Sequence, residues 1–244
     1  DMPVITHASI LSTGQTNGTS QVMWSMPVEI DYDITPGPFK YLIHRIDLET
    51  NTDILVDSLS NLTDTIFDDS QLNTQAIQYA YYLEFINNTP GNRFIIGNTS
   101  IAQTPFLSII PTDKQLTLSW TASTPWVNES WDIFRFNEVS AQWDSIANVT
   151  GSSYDDKELI NGREYCYYVR GRGSYNTPGI ISPLINLSQE NCGIPVDNIP
   201  PCPVVLFSYT DCDNVENHLF WTNAETTFDT LVYTYTLYAT TYQL

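Results

Sequence analysis

Slid against itself, the chain repeats. At a shift of about 87 residues, Asp57-Ser58-Leu59 falls on Asp144-Ser145-Ile146 and Asn61-Leu62-Thr63 on Asn148-Val149-Thr150. Phe67-Asp68-Asp69 falls on Tyr154-Asp155-Asp156, and Leu72 on Leu159. With one gap, Tyr79-Ala80-Tyr81-Tyr82-Leu83 meets Tyr165-Cys166-Tyr167-Tyr168-Val169. Upstream, Trp24 meets Trp120, and Tyr41-x-Ile43-x-Arg45 meets Trp131-x-Ile133-x-Arg135. A period near 90 residues is too long for a solenoid unit and suits a β-sandwich domain.

Inside each copy the pattern is that of strands. Leu116, Leu118 and Trp120 alternate with Thr117 and Ser119, and Tyr165, Tyr167 and Val169 alternate with Cys166, Tyr168 and Arg170. A period of two marks a half-buried strand. Turn clusters separate the runs: Pro36-Gly37-Pro38, Thr89-Pro90-Gly91-Asn92, Gly151-Ser152 and Asn161-Gly162. No stretch of about ten residues has helical periodicity with caps. The expected fold class is all-β, as tandem antiparallel β-sandwiches, with domains over 1–102 and 103–198 and an incomplete third copy over 199–244. The third copy opens at Pro200-Pro201-Cys202-Pro203. Its His218-Leu219-Phe220-Trp221-Thr222 parallels Gln21-Val22-Met23-Trp24-Ser25. Because its tyrosine strand is missing, the chain is expected to be a piece of a longer polypeptide.

These residues resemble fibronectin type III (immunoglobulin-like) domains. The marks are Trp120 on the second strand, the aromatic-x-aliphatic third strand, and Leu159-x5-Tyr165 after an Asn-Gly turn. That last spacing is similar to a tyrosine corner, in which the phenol bonds back to the backbone. A narrower resemblance runs from Asn161 through Cys192 to Cys202-Pro203. It is to large Bacteroidota surface proteins with a gliding-motility-associated C-terminal domain, exported by type IX secretion. That resemblance implies an extracellular or outer-membrane-surface location. The sorting domain itself is not in the chain.

Nine basic residues stand against 28 acidic ones, a net charge of −19. Such a chain is repelled by nucleic-acid phosphates and by anionic lipid, so neither is an expected partner. No run of about 18 apolar residues offers a direct membrane insertion. The acidity serves solubility, or else binds divalent cations. The most cation-like cluster is Asp211-x-Asp213-Asn214-x-Glu216, which lacks the glycine and spacing of a calcium loop. No cofactor other than calcium at Asp211, Asp213 and Glu216 is expected.

Catalysis finds little to use. His7, His44 and His218 are scattered, no Gly-x-Ser-x-Gly elbow accompanies them, and they read as surface or edge residues. The recurrence of Asp68-Asp69 as Asp155-Asp156 argues for structure, because an active site is normally unique. No catalytic residue is assigned and no enzyme is expected. Trp126, in the loop before the third strand of the second copy, and Trp143, near a turn, are candidate partner or glycan contacts. Packing between domains is the preferred reading of both, because each domain must meet its neighbours. Asp-Ser/Thr-aliphatic triplets resemble the O-glycosylation signal of Bacteroidota, a resemblance that implies candidate sites at Ser58, Thr65, Ser145 and Thr230, with chance as the alternative.

Four cysteines occur, at 166, 192, 202 and 212. Cys166 replaces Ala80 of the first copy and lies in outward phase, beside the outward Phe134, Phe136 and Tyr168. Pro183 to Pro195 is apolar enough to cover that aromatic face, and a Cys166–Cys192 disulfide would pin the cover down. Cys202 and Cys212 pair only if the strand between them bends. Otherwise each has a partner elsewhere. The expected function is a non-catalytic structural or protein-interaction module of a large secreted surface protein, an adhesin or a component of the secretion and gliding machinery. The alternative is a carbohydrate-binding accessory module of a secreted polysaccharide-degrading enzyme.

Overall fold

In a computed structural model, residues 2–30, 33, 36–199, 206–214 and 216–221 are described. Residues Asp1–Val196 make one compact unit and Asp197–Leu244 another.

The first strand set is β1 (Ile5–Ser12), β2 (Gly18–Trp24), β3 (Phe39–Asp47), β4 (Thr52–Leu59), β5 (Ile66–Leu72), β6 (Tyr79–Asn87), β7 (Phe94–Asn98) and β8 (Ala102–Gln103). The second is β9 (Phe106–Thr112), β10 (Gln115–Thr121), β11 (Val127–Asn137), β12 (Gln142–Val149), β13 (Ser153–Asp156), β14 (Tyr165–Ser174), β15 (Leu184–Leu187) and β16 (Asn191–Gly193). Each set folds the same way. A three-stranded sheet, β1-β2-β5 or β9-β10-β13, faces a larger sheet, β4-β3-β6-β7 or β12-β11-β14-β15. The short β8 and β16 add to β6 and β14. All pairings are antiparallel.

The alternation read from the sequence sets which side chains point inward. Trp24 and Trp120 are buried at matching positions, 3% and 4% exposed. Leu116 and Leu118 are fully buried, and Tyr41 and Ile43 occupy the places of Trp131 and Ile133 in the first core. The tyrosine corner forms twice: Tyr165 Oη accepts from Ile160 N (3.1 Å), and Tyr79 Oη from Asn73 N (3.2 Å). The last strand breaks at one equivalent place in both copies. There Thr99 N donates to Leu83 O and Leu83 N to Thr99 Oγ1, while Ser188 N donates to Val169 O and Val169 N to Ser188 Oγ. A hydroxyl thus supplies the acceptor that the interrupted ladder withholds.

The recurring aspartates are explained by the core. Asp69 and Asp156 are each 6% exposed. Asp69 accepts from Arg45 and Tyr81, and Asp156 from Arg135 and Tyr167, tying the two sheets of each sandwich together. In the first copy Ser20 joins through the Tyr81 hydroxyl. Burial and the neighbouring aspartate push both tyrosines well above the ordinary phenol value.

One expectation is corrected here. The segment Pro183 to Pro195 does not fold over the aromatic face. It supplies β15 and β16, which extend the sheet in its own plane beside β14, so it is the missing last strand. Backbone hydrogen bonding at an open edge outweighs apolar cover. The Cys166–Cys192 disulfide is present, as a cross-strand pair in direct register between β14 and β16. His7 sits half-buried on the edge strand β1, in keeping with its reading as an edge residue. It lies in a seam between the sandwiches.

That seam joins two sheet edges. β1 ends one three-stranded sheet and β15 ends the larger sheet of the second set, and the two lie side by side. Ala8 N donates to Asn186 Oδ1 (2.7 Å), Leu187 N to Ser9 Oγ (2.9 Å), Glu190 N to Thr13 Oγ1 (2.7 Å) and Tyr175 Oη to Ile5 O (2.8 Å). Side chains thus cap the free backbone groups of both edges, which would otherwise invite further pairing. At a second contact Gln78 Nε2 donates to Thr104 O (2.7 Å) and Thr121 O (3.3 Å).

In the second unit the described strands are β17 (Leu206–Asp211) and β18 (Glu216–Trp221), an antiparallel hairpin. The remainder of the expected third copy, including Cys202 and Thr230, lies outside the described residues.

Candidate functional site

The outward face of β11, β12 and β14 carries a cluster of aromatic side chains facing away from the core. Inward phase is taken by Trp131, Ile133, Tyr167 and Val169, so Phe134, Phe136 and Tyr168 must face out. Register sets them side by side: Phe134 opposite Tyr168 on β14, Phe136 opposite Trp143 on β12. The Phe134 and Tyr168 rings stack at 4.6 Å and 7°. Trp143 meets Tyr168 edge-on at 4.8 Å and Phe136 at 5.3 Å. Phe136 is 36% exposed and Trp143 is half-buried.

A charged patch adjoins the rings. The Arg170 guanidinium lies 4.8 Å from the Phe134 centroid. Asp132 Oδ2 accepts from Arg170 (2.9 Å) and Arg172 (2.8 Å), and Asp132 Oδ1 from Asn148 (2.7 Å). Burial opposes ionisation of Asp132, but the hydrogen bonds from Asn148, Arg172 and Arg170 prevail and hold its carboxyl below the usual range. Two guanidinium groups share the Asp132 carboxylate here, and the Glu190 carboxylate is a further charge beside Tyr168. The arrangement can stack on or edge against a partner's side chains and accept its carboxylates. It holds no nucleophile paired with a base.

In the first sandwich the equivalent face carries His44 stacked on Tyr82 at 4.5 Å. His44 Nδ1 lies 3.3 Å from Asp53 and Nε2 3.8 Å from Glu84, on opposite sides of the ring. Among the described residues, Glu164, Cys166 and Cys192 bring metal-ligating atoms together, but both sulfurs are consumed in the disulfide.

The other sequence candidates fall as follows. Trp126 is 4% exposed, inside the cluster that contains Ile5, Trp24 and Tyr41, with its ring edge-on to Tyr175 at 5.9 Å. It therefore serves packing between sandwiches and offers no glycan platform, because the first sandwich already covers its ring. Trp143 is the one of the pair on the aromatic face. Asp211 Oδ1 accepts from Asp213 N and Asn214 N, capping the β17–β18 turn. Asp47 at the β3–β4 turn and Asn137 at the β11–β12 turn do the same. Since a neutral Asn suffices at one of these turns, charge is not what the position requires. The Glu216 side chain lies outside the described residues. Ser145 is exposed, and Ser58 and Thr65 are half-buried. Cys212 is a free, exposed thiol. Arg170 and Arg172 were missed by the sequence reading. Their signal was the unusual run Arg170-Gly171-Arg172-Gly173 in a chain with nine basic residues.

No family model and no curated protein matches the chain. Among solved structures, chicken interferon gamma receptor alpha chain is similar at 12% identity and TM-score 0.28, over 80% of this chain and 98% of that one. The central fibronectin-III array of RIM-binding protein is similar at 10% and 0.30, over 90% and 79%. A two fibronectin type-III domain segment from chicken tenascin is similar at 14% and 0.27, over 80% and 98%. Likenesses at these scores carry no argument about function, and the fold rests on the strand order itself. The fold is all-β and fibronectin type III-like. No helix among the described residues is long and apolar enough to cross a membrane.

Proposed function

We propose that the chain is a non-catalytic structural and protein-interaction module of a secreted or cell-surface protein, with the aromatic face of the second sandwich as its contact surface. The observation that carries this reading is the Phe134–Phe136–Trp143–Tyr168 cluster beside Arg170 and Arg172, placed outward on a sheet whose inward face already fills a core. Aromatic and arginine side chains are the ones on which interfaces concentrate binding energy. The seam supports a structural role, since it fixes that face relative to the first sandwich. The disulfide supports an oxidising compartment. The surface-protein resemblance noted in the sequence would set the module on an outer membrane as part of an adhesin or a secretion and gliding assembly. The carbohydrate-binding alternative loses one of its two candidate tryptophans to the seam.

The test is affinity purification of the full-length protein from its native cell surface, wild type against Phe136→Ser/Trp143→Ala, with circular dichroism to confirm folding. A specific protein retained by the wild type and lost by the folded variant is the expected result. Equal retention by both, or a glycan ligand whose binding depends on Trp143, would overturn the reading.

A further inference from the structure

We propose that His7 makes the seam between the two sandwiches acid-labile, so that protonation of its imidazole releases β15 from β1. His7 lies on β1 opposite Met23 of β2, with Ile185 near its ring across the seam. Its Nε2 is sealed from solvent without a hydrogen-bond partner. Beside it is a solvent-open pocket of about 160 Å³ lined by Thr6, Met23, Ile181, Pro183 and Leu184. A neutral imidazole that carries its one proton on Nδ1 leaves Nε2 as a bare lone pair. A second proton adds a charge and a donor that face apolar side chains. With the seam closed the sealed Nε2 of an imidazolium lacks the hydration that it regains when the seam opens.

The charged surroundings do not rescue it. Asp68 on β5 is the carboxylate that draws positive charge to His7. β2 (Gly18–Trp24) and residues 181–187 carry no ionisable side chain, and His7 is the sole one on β1. Burial outweighs both the Ile185 carbonyl and Asp68, and holds His7 below its ordinary 6.5. The other groups across the seam are an amide (Asn186), two hydroxyls (Ser9, Thr13) and the Tyr175 phenol, which burial raises to about 12. None of them changes charge near neutrality.

The sign follows from linkage. With the seam open, His7 protonates at its ordinary value; with it closed, only at a lower one. The closed seam therefore has its full strength above pH 6.5 and loses it as pH falls from 6.5 through the lower value. Each pH unit between the two values multiplies the open fraction about tenfold.

The readout is amide hydrogen exchange by NMR on the full chain, corrected for the intrinsic pH dependence. The Ala8 and Leu187 amides bond across the seam, so their protection reports its opening. From about pH 7 to about pH 5 their protection is expected to fall several-fold or more, while Trp120 and Leu83, whose amide bonds stay within one sandwich, keep theirs. The fall should vanish in His7→Gln and in His7→Leu and persist in His44→Gln. Unchanged protection in the wild type, or a fall that persists in either folded His7 variant, overturns the proposal. Should neither variant fold, the wild-type His7 ring resonance decides: a midpoint below 6.5 that tracks the loss of protection supports the switch, and one at or above 6.5 refutes it.

Discussion

Replacing Trp126 with alanine should unfold the seam side of the first sandwich although Trp126 belongs to the second. The indole sits in the cluster of Ile5, Trp24 and Tyr41 and is 4% exposed. A buried indole removes on the order of 200 Å² from water, which at ~25 cal/mol per Å² is about 5 kcal/mol. Measured Trp→Ala changes in cores fall at about 3–5 kcal/mol, because neighbours relax partly into the cavity. The lost hydrogen bond, Trp126 Nε1 to Asn128 Oδ1 at 3.1 Å, adds little, since Asn128 keeps its bond to Thr124. Collapse around Trp126 is limited because Gly173 lies directly against the indole; a Cβ there would sit 2.6 Å from its Cδ1. A loss of about 4 kcal/mol is expected, which at a urea slope of ~2 kcal/mol per M moves the midpoint down by about 2 M. Trp143→Ala, on the outward face, should cost about 1–2 kcal/mol by partial loss of the same kind of burial. Urea titrations followed by far-UV circular dichroism make the comparison. A cost for Trp126→Ala below ~1 kcal/mol, or below that of Trp143→Ala, would refute burial in the seam.

Asp156→Ala should cost about 2–4 kcal/mol, because it strands the buried Tyr167 hydroxyl and the half-buried Arg135, whereas Asp155→Ala, whose exposed carboxylate accepts from Thr117 and makes an exposed ion pair with Lys157, should cost under ~1 kcal/mol. Both are read by urea titration. Cys166→Ala/Cys192→Ala should lower stability by roughly 3 kcal/mol, while Cys212→Ala should leave it unchanged in thermal melts. Tyr82 and Tyr175 should ionise near pH 12 in an ultraviolet titration. Burial raises both, and the hydrogen bond to Asp53 adds to the effect at Tyr82. A phenol held above its ordinary 10 stabilises the fold fully below pH 10 and loses that contribution as pH rises from 10 through 12, so alkaline unfolding should begin in that window.

What the sequence revealed follows from where its signals lie. Trp24, Trp120 and the tyrosines at 79 and 165 are local: each sits in a period-two run or at a fixed offset from a turn, so repeat and alternation were enough. Cys166–Cys192 was legible as a bond but not as a register. Whether Leu184-x-Asn186-x covers a face or extends an edge depends on which backbone groups of β14 lack partners, and that is known only once the sheet is assembled. Packing of Trp126 between domains and an edge position for His7 agree with the sequence reading, but which groups meet in the seam was not legible. Each of these two residues stands at an element's end or in a loop of its own copy, and both are covered by the other copy, a relation that a single-repeat pattern does not encode. The aspartates at 69 and 156 lie between these cases. Their partners Arg45, Arg135, Tyr81 and Tyr167 also recur in the repeat, and the joint recurrence was the missed clue.

The central claim is that two fibronectin type III-like sandwiches are held as one unit by the β1–β15 seam. Residual dipolar couplings of the backbone amides near pH 7 test it directly, fitted separately over residues 5–103 and 106–193. One common alignment tensor, with the Ala8 and Leu187 amides protected from exchange, is the expected result. Two tensors of different magnitude and orientation would mean that the sandwiches tumble independently, and would contradict the seam.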